Sequence, residues 1–204
     1  MRHINMKFIG ITGGVGAGKS AILDYLDSKP DIRVMLADNI AHEIMEPGTL
    51  CYNEIKNLFD DSIFEDDGHI NKNRMAAAIF NDSSLRDRLN AIVHPAVKEY
   101  VIEQYEYEKK AGKNNWLILE AALLIEEHYD EICDELWYIY TSEENRRLRL
   151  KESRGYSDSK IDSIFASQLS EEDYRNSCQQ CIDNNGTVEQ TYNQIEDIIK
   201  SYKE

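Results

Sequence analysis

The run Gly13-Gly14-Val15-Gly16-Ala17-Gly18-Lys19-Ser20 has the spacing G-x-x-x-x-G-K-S and stands directly behind the apolar segment Lys7-Phe8-Ile9-Gly10-Ile11. That spacing predicts a nucleoside triphosphate site. Glycines let the backbone turn tightly with its N–H groups facing inward, so those donors and the positive end of the following helix surround phosphate. Lys19 then reaches the β- and γ-phosphates, and the Ser20 hydroxyl is placed on Mg2+, which neutralises charge during phosphoryl transfer. A glycine-rich turn that binds nothing is the competing reading. The strand pattern before the loop and the amphipathic Ala21-Ile22-Leu23-Asp24-Tyr25-Leu26 after it both favour the site.

Other residues narrow the chemistry. A guanine reader of the Asn-Lys-x-Asp type is absent; Asn71-Lys72-Asn73-Arg74 is the nearest approximation and lies in a helical stretch, which disfavours a GTPase switch. Glu120, closing the apolar run Trp116-Leu117-Ile118-Leu119, is the acid expected near Mg2+. Arg146, Arg147, Arg149, Lys151 and Arg154 concentrate positive charge in an otherwise acidic chain. Such a segment over a phosphate loop matches small-metabolite kinases, where the protein supplies positioning and charge stabilisation. Cys178-Gln179-Gln180-Cys181 is a single C-x-x-C with no second pair. It reads as ordinary buried or half-buried thiols rather than a zinc or redox site.

These residues need strands and helices to hold them. Strands are expected at Lys7 to Ile11, Arg33 to Leu36, Trp116 to Leu119, Leu136 to Tyr140 and Gln180 to Asp183. Their near-continuous apolar runs predict a parallel sheet covered by helices on both faces. About 40–113 is too long for a simple crossover and reads as a helical subdomain; a second helical excursion covers about 142–178. Within the first, Asp82 is expected to cap a helix carrying Leu85, Leu89, Ile92 and Val93. Tyr100, Tyr105 and Tyr107 read as aromatics on a helix face.

The 204 residues suit one domain with these appendages, and the net charge of −15 argues against a nucleic-acid surface. No stretch is apolar enough to span a membrane. Met1 to Asn5 leads into a strand rather than a signal-peptide core, with Met6 a second candidate start, so a cytoplasmic protein with free thiols is expected.

The chain resembles the dephospho-coenzyme A kinases over nearly its whole length. The resemblance is carried by the loop Thr12 to Ser20, by Leu36-Ala37-Asp38-Asn39-Ile40-Ala41-His42 with Pro47-Gly48, by His94-Pro95, by Glu120-Ala121-Ala122-Leu123-Leu124-Ile125-Glu126 and by Asn184-Asn185-Gly186. It implies a P-loop NTPase three-layer α/β sandwich with a parallel five-stranded sheet, plus helical substrate-binding and lid subdomains. It also implies transfer of the γ-phosphoryl of ATP, with Mg2+, to the ribose 3′-hydroxyl of dephospho-coenzyme A. Asp38 takes the place of the base; as a plain structural residue it would cap a helix over Ile40 to Met45. Arg149 and Arg154 align with lid arginines, whereas Arg146 and Arg147 read as a solvated face paired with glutamates. Lys72, His94 and Glu126 fall at substrate positions, His94 beside a helix-breaking Pro95, and Asn184 and Gly186 at the nucleotide-contacting turn. Leu36 replaces an Asp, and Glu120 and Ala122 replace Asp and Pro, of the family pattern. A nucleoside or nucleotide kinase, or a non-catalytic nucleotide-binding regulator, are the alternatives.

Overall fold

The apolar runs form five strands, most of them one residue longer than the pattern predicts. In the computed structural model, which describes residues 6–202, β1 is Lys7–Thr12, β2 Ile32–Leu36, β3 Trp116–Glu120, β4 Glu135–Tyr140 and β5 Gln180–Asp183. The lead Met1 to Asn5 lies outside the described residues. Helices follow as α1 Lys19–Asp27, α2 Ala37–Ile44, α3 Leu50–Leu58, α4 Lys72–Asn81, α5 Ser83–Ala111, α6 Glu143–Arg154, α7 Asp158–Ala166, α8 Glu171–Ser177 and α9 Val188–Ser201.

One compact unit comprises the described residues up to Met35 and from Ala111 onward. Its sheet has the order β2-β3-β1-β4-β5, and β1 pairs in parallel with both β3 and β4, as β4 does with β5. Phe8, Ile9, Ile11, Leu117, Ile118, Leu119, Leu136, Trp137 and Ile139 are all buried, as strands covered on both faces require. Central β1 ends where the loop begins, and ligands of open α/β sheets sit at that carboxyl edge. Register does the rest. Ile11 lies beside Glu120, and Tyr140 beside Asp183, so Glu120, Thr141 and Asn184 all emerge at the edge where the loop turns.

The second unit, Leu36–Lys110, is helical. Ile40, Ile44, Cys51, Tyr52, Ile55, Ile63, Leu89, Val97 and Val101 are its buried residues. Thr49 caps α3 by accepting from the Tyr52 N–H at 3.0 Å, and Asn71 caps α4 by accepting from that of Arg74 at 2.9 Å. The predicted Asp82 cap is present, its carboxylate accepting from the Leu85 N–H at 3.0 Å. Two expectations change. Pro95 does not break the helix but lies inside α5. A mid-helix proline costs about 3 kcal/mol, and buried Leu89, Val97 and Val101 on either side hold the helix together across it. Asp38 does not take its structural alternative as a cap either, because α2 starts at Ala37 and its N-cap position falls on Leu36, two residues before Asp38.

The cysteines are free thiols. Cys51 and Cys133 are buried and Cys178 is half-buried, its thiol pushed up to about 12 by desolvation. Cys181 departs from expectation in being exposed, with Arg175 Nη1 3.2 Å from its sulfur. Among the described residues no helix is long and apolar enough to cross a membrane.

α1 and α9 are joined by a small aromatic and ionic cluster. Tyr25 stacks on Tyr192 at 3.7 Å, while Lys29 and the Tyr25 hydroxyl both donate to Glu196, at 2.7 and 2.6 Å. Lys29, through its bond to Glu196, is raised to about 12; the same bond, with that from Tyr25, lowers Glu196. A carboxylate with a depressed folded pKa stabilises above its unfolded pKa and loses that contribution as pH falls through the folded one. Glu196→Gln is therefore expected to lower stability at pH 7 by about 0.5 kcal/mol, the scale of a half-exposed pair. The difference should shrink as pH falls below the unfolded glutamate value of about 4.3 and through the lowered folded one, and urea titrations over a falling pH series check it.

Candidate active site

The loop between β1 and α1 is shaped by what its carbonyls bind. Lys19 Nζ donates back to the Gly13 carbonyl at 2.7 Å. The Gly14 carbonyl accepts from the Ala17 N–H at 3.0 Å. Arg146 Nε donates to the Val15 carbonyl at 2.9 Å. The Ala17 carbonyl takes three donors: Asn184 Nδ2 at 2.7 Å, Thr141 Oγ1 at 3.0 Å and Arg149 Nη1 at 3.2 Å. A trans peptide is planar, so the C=O of one residue and the N–H of the next point in opposite directions. Pulling the carbonyls of Val15 and Ala17 outward thus turns the N–H groups of Gly16 and Gly18 inward. The Gly16 and Gly18 N–H groups have no hydrogen-bond partner among the described residues, which is the state an anion cradle requires.

Glycine is obligatory at Gly18, where φ is +87° and a Cβ would stand 2.5 Å from Asn184 Nδ2 and 3.1 Å from Arg149 Nη1. Lys19 Nζ also lies 3.4 Å from Glu120 Oε1, with both side chains more than four-fifths buried. Ser20 sits in the first turn of α1. Ser20 and Glu120 offer hard oxygen donors of the kind Mg2+ takes. Among the described residues no group of three or more His, Cys, Asp or Glu could hold a metal ion. A metal here would depend on phosphate oxygens and water, the usual state of Mg2+ at a nucleotide.

The structure brings together Gly13 to Ser20, Glu120, Arg149 and Asn184. Asn184 spends its side chain on the loop, its Oδ1 accepting from Thr191 at 2.9 Å, while its carbonyl accepts from Arg149 Nη2 at 2.7 Å. Gly186 adjoins the Thr187 capping box of α9. Arg154 lies in the last turn of α6, its guanidinium 5.9 Å from the Tyr156 ring. Glu126 follows β3 and is close enough to raise the Tyr174 hydroxyl, though burial does so more. Asp38, Lys72 and His94 belong to the helical unit. Asp38 is exposed in the first turn of α2, and no hydrogen bond or ion pair holds its carboxylate among the described residues.

Four residues escaped sequence reasoning. Thr141, Arg146 and Gln168 all bind the loop, and Asn185 Oδ1 ties the start of α6 to the turn after β5, accepting from Ser142 N–H at 2.8 Å and Asn145 Nδ2 at 2.9 Å. Arg147 does pair with Glu143, and with Asp158 and Asp162, as a solvated face should. Arg146 does not share that face. Leu150, fully buried one turn on, was the available signal: it marks the inner side of α6, which Arg146 and Arg149 share.

A parallel sheet with a phosphate loop at its central strand, and an arginine-bearing helix laid on that loop, define a P-loop kinase fold. Residues 7–190 match the dephospho-CoA kinase (CoaE) family. A dephospho-CoA kinase of Shouchella clausii is 33% identical over 191 residues, 94% of this chain and 96% of the relative. The crystal structure of TT1252 from Thermus thermophilus superposes with a TM-score of 0.78 at 23% identity, covering 97% and 98% of the two chains. That of dephospho-CoA kinase from Campylobacter jejuni gives 0.71 at 20%, covering 95% and 98%. The chain belongs to the dephospho-CoA kinase family.

Replacing Gly18 by Ala sets a left-handed backbone against a Cβ clash. Gly18→Ala is expected to abolish ATP binding in calorimetry at micromolar protein while costing about 1–3 kcal/mol of stability in urea.

Proposed function

We propose that this enzyme phosphorylates the ribose 3′-hydroxyl of dephospho-coenzyme A with ATP, giving coenzyme A and ADP in the last step of coenzyme A synthesis. The match to the dephospho-CoA kinase family over residues 7–190 carries this reading. The loop's unpartnered N–H groups and Lys19 support the ATP half of the reaction. Asp38, exposed two residues beyond β2 and unpaired among the described residues, is the base. It accepts the proton of the 3′-hydroxyl as that oxygen bonds to the γ-phosphorus, and the bond from γ-phosphorus to the β–γ bridging oxygen breaks to release ADP. Lys19 stabilises the phosphates, and Arg149 and Arg154 serve a lid over about 142–178. Lys72, His94 and Glu126 contact the acceptor, within a substrate subdomain over about 40–113, and Asn184 and Gly186 shape the nucleotide turn. Mg2+, held by Ser20 and Glu120 with phosphate and water, supplies charge neutralisation. On this reading we assign the protein to the cytoplasm.

An ADP-release assay with dephospho-coenzyme A, AMP and adenosine as parallel acceptors tests the proposal. Turnover is expected with dephospho-coenzyme A; turnover with AMP alone would make this a nucleotide kinase. Asp38→Asn should lower kcat by roughly 10²- to 10⁴-fold with the ATP Kd unchanged. A variant that keeps full turnover would remove Asp38 from the reaction.

A further inference from the structure

Arg146 has an unusual set of partners for a charged residue. It is half-buried, and among the described residues it makes no ion pair, although the adjacent Arg147 makes three. Its Nε donates to the Val15 carbonyl at 2.9 Å, its Nη2 donates to Gln168 Oε1, and its guanidinium packs 4.3 Å from the Phe165 ring centre. Burial pulls its pKa down from the ordinary arginine value, as expected of a cation without a carboxylate. Gln168 completes the arrangement, because the same Oε1 accepts the Val15 N–H at 3.3 Å.

Val15 is therefore held at both of its peptide planes. The Gly14–Val15 plane is pinned by Gln168 on its N–H and by the Ala17 N–H on its carbonyl. The Val15–Gly16 plane is pinned by Arg146 on its carbonyl, which aims the Gly16 N–H the opposite way. We propose that Arg146 and Gln168 are positioning residues for nucleotide binding: they brace the two peptide planes around Val15 so that the Gly16 N–H faces the phosphates, and the unpaired guanidinium adds positive charge beside the cradle. The brace acts on the triphosphate and not on the acceptor. Geometry explains why arginine and not lysine stands here: one planar fork serves a carbonyl with Nε and an amide oxygen with Nη2 at once. Space supports the assignment too, since a Cβ on Gly14 would overlap the Arg146 guanidinium.

The proposal rests on the kinase reading only for its assay of turnover, so the primary measurement is ATP affinity without acceptor, by titration calorimetry beside thermal melts. Arg146→Ala should weaken ATP binding on the order of tenfold, the scale of one lost charged hydrogen bond. Arg146→Lys should recover only part of that loss. Arg146→Ala combined with Gln168→Ala should cost less than the two single changes added, because the two side chains bond each other and brace adjoining peptide planes of one residue. Arg147→Ala, on the same helix but on its ion-paired face, should leave ATP affinity within about twofold. In turnover, Arg146→Ala should raise KM for ATP while KM for dephospho-coenzyme A stays within about twofold. Unchanged ATP affinity in Arg146→Ala, or an equal loss in Arg147→Ala, would overturn the brace; should Arg146→Ala fail to fold, Arg146→Lys and Gln168→Ala decide on the same criteria. A wild type that binds ATP but ignores dephospho-coenzyme A would overturn the acceptor assignment and leave the brace standing.

Discussion

The nucleotide site depends on the rigidity of the peptide unit. Because C=O and N–H lie in one plane and point apart, a protein aims a backbone donor by gripping the carbonyl behind it. Here the grips come from Arg146 on Val15, and from Thr141, Arg149 and Asn184 on Ala17. The four side chains come from the residue after β4, from α6 and from the turn after β5. Parallel strands in register bring those segments to one edge, so the sheet's topology and the loop's shape are a single requirement.

The same requirement explains how positive charge is distributed in a chain of net charge −15. Along α6 the helical period separates the basic residues into two sets. Arg147 and Lys151 face outward and meet Asp158, so their charges are spent on holding α6 to α7. Arg146 and Arg149 face inward beside buried Leu150 and, among the described residues, pair with neutral oxygens and no carboxylate, so their charges remain available to an anion. Acidic composition and phosphate binding coexist because the second set is kept away from carboxylates.

Strand positions were legible because a strand covered on both faces must be apolar at nearly every residue, and the phosphate loop because few backbones can make that turn without glycine. Caps at Thr49 and Asn71 follow ordinary local rules as well. What was not legible is instructive in each case. As a plain structural residue Asp38 would cap a helix, but α2 begins at Ala37, which puts Asp38 inside its first turn with a carboxylate that no group holds among the described residues. Pro95 looked like a helix end, yet packing on both sides of it outweighs a missing N–H. Gln168 carries no local signal at all, since its role depends on a partner 153 residues away. Arg146 could have been read from its spacing to Leu150, had the helix face been weighed before the charge.

The span between Ala17 and its three donors bears on how the protein is made. Asn184 lies 167 positions further along the chain, and Thr141 and Arg149 lie 124 and 132 further. A ribosome has thus released the whole phosphate motif long before the residues that grip it exist. During synthesis the glycine-rich segment is an unsupported turn whose donors point nowhere in particular, and ATP has nothing to select. On this geometry, affinity for the nucleotide is expected only once β4 and β5 have joined the sheet and α6 has packed on the loop, so ligand binding rewards the last segments to fold.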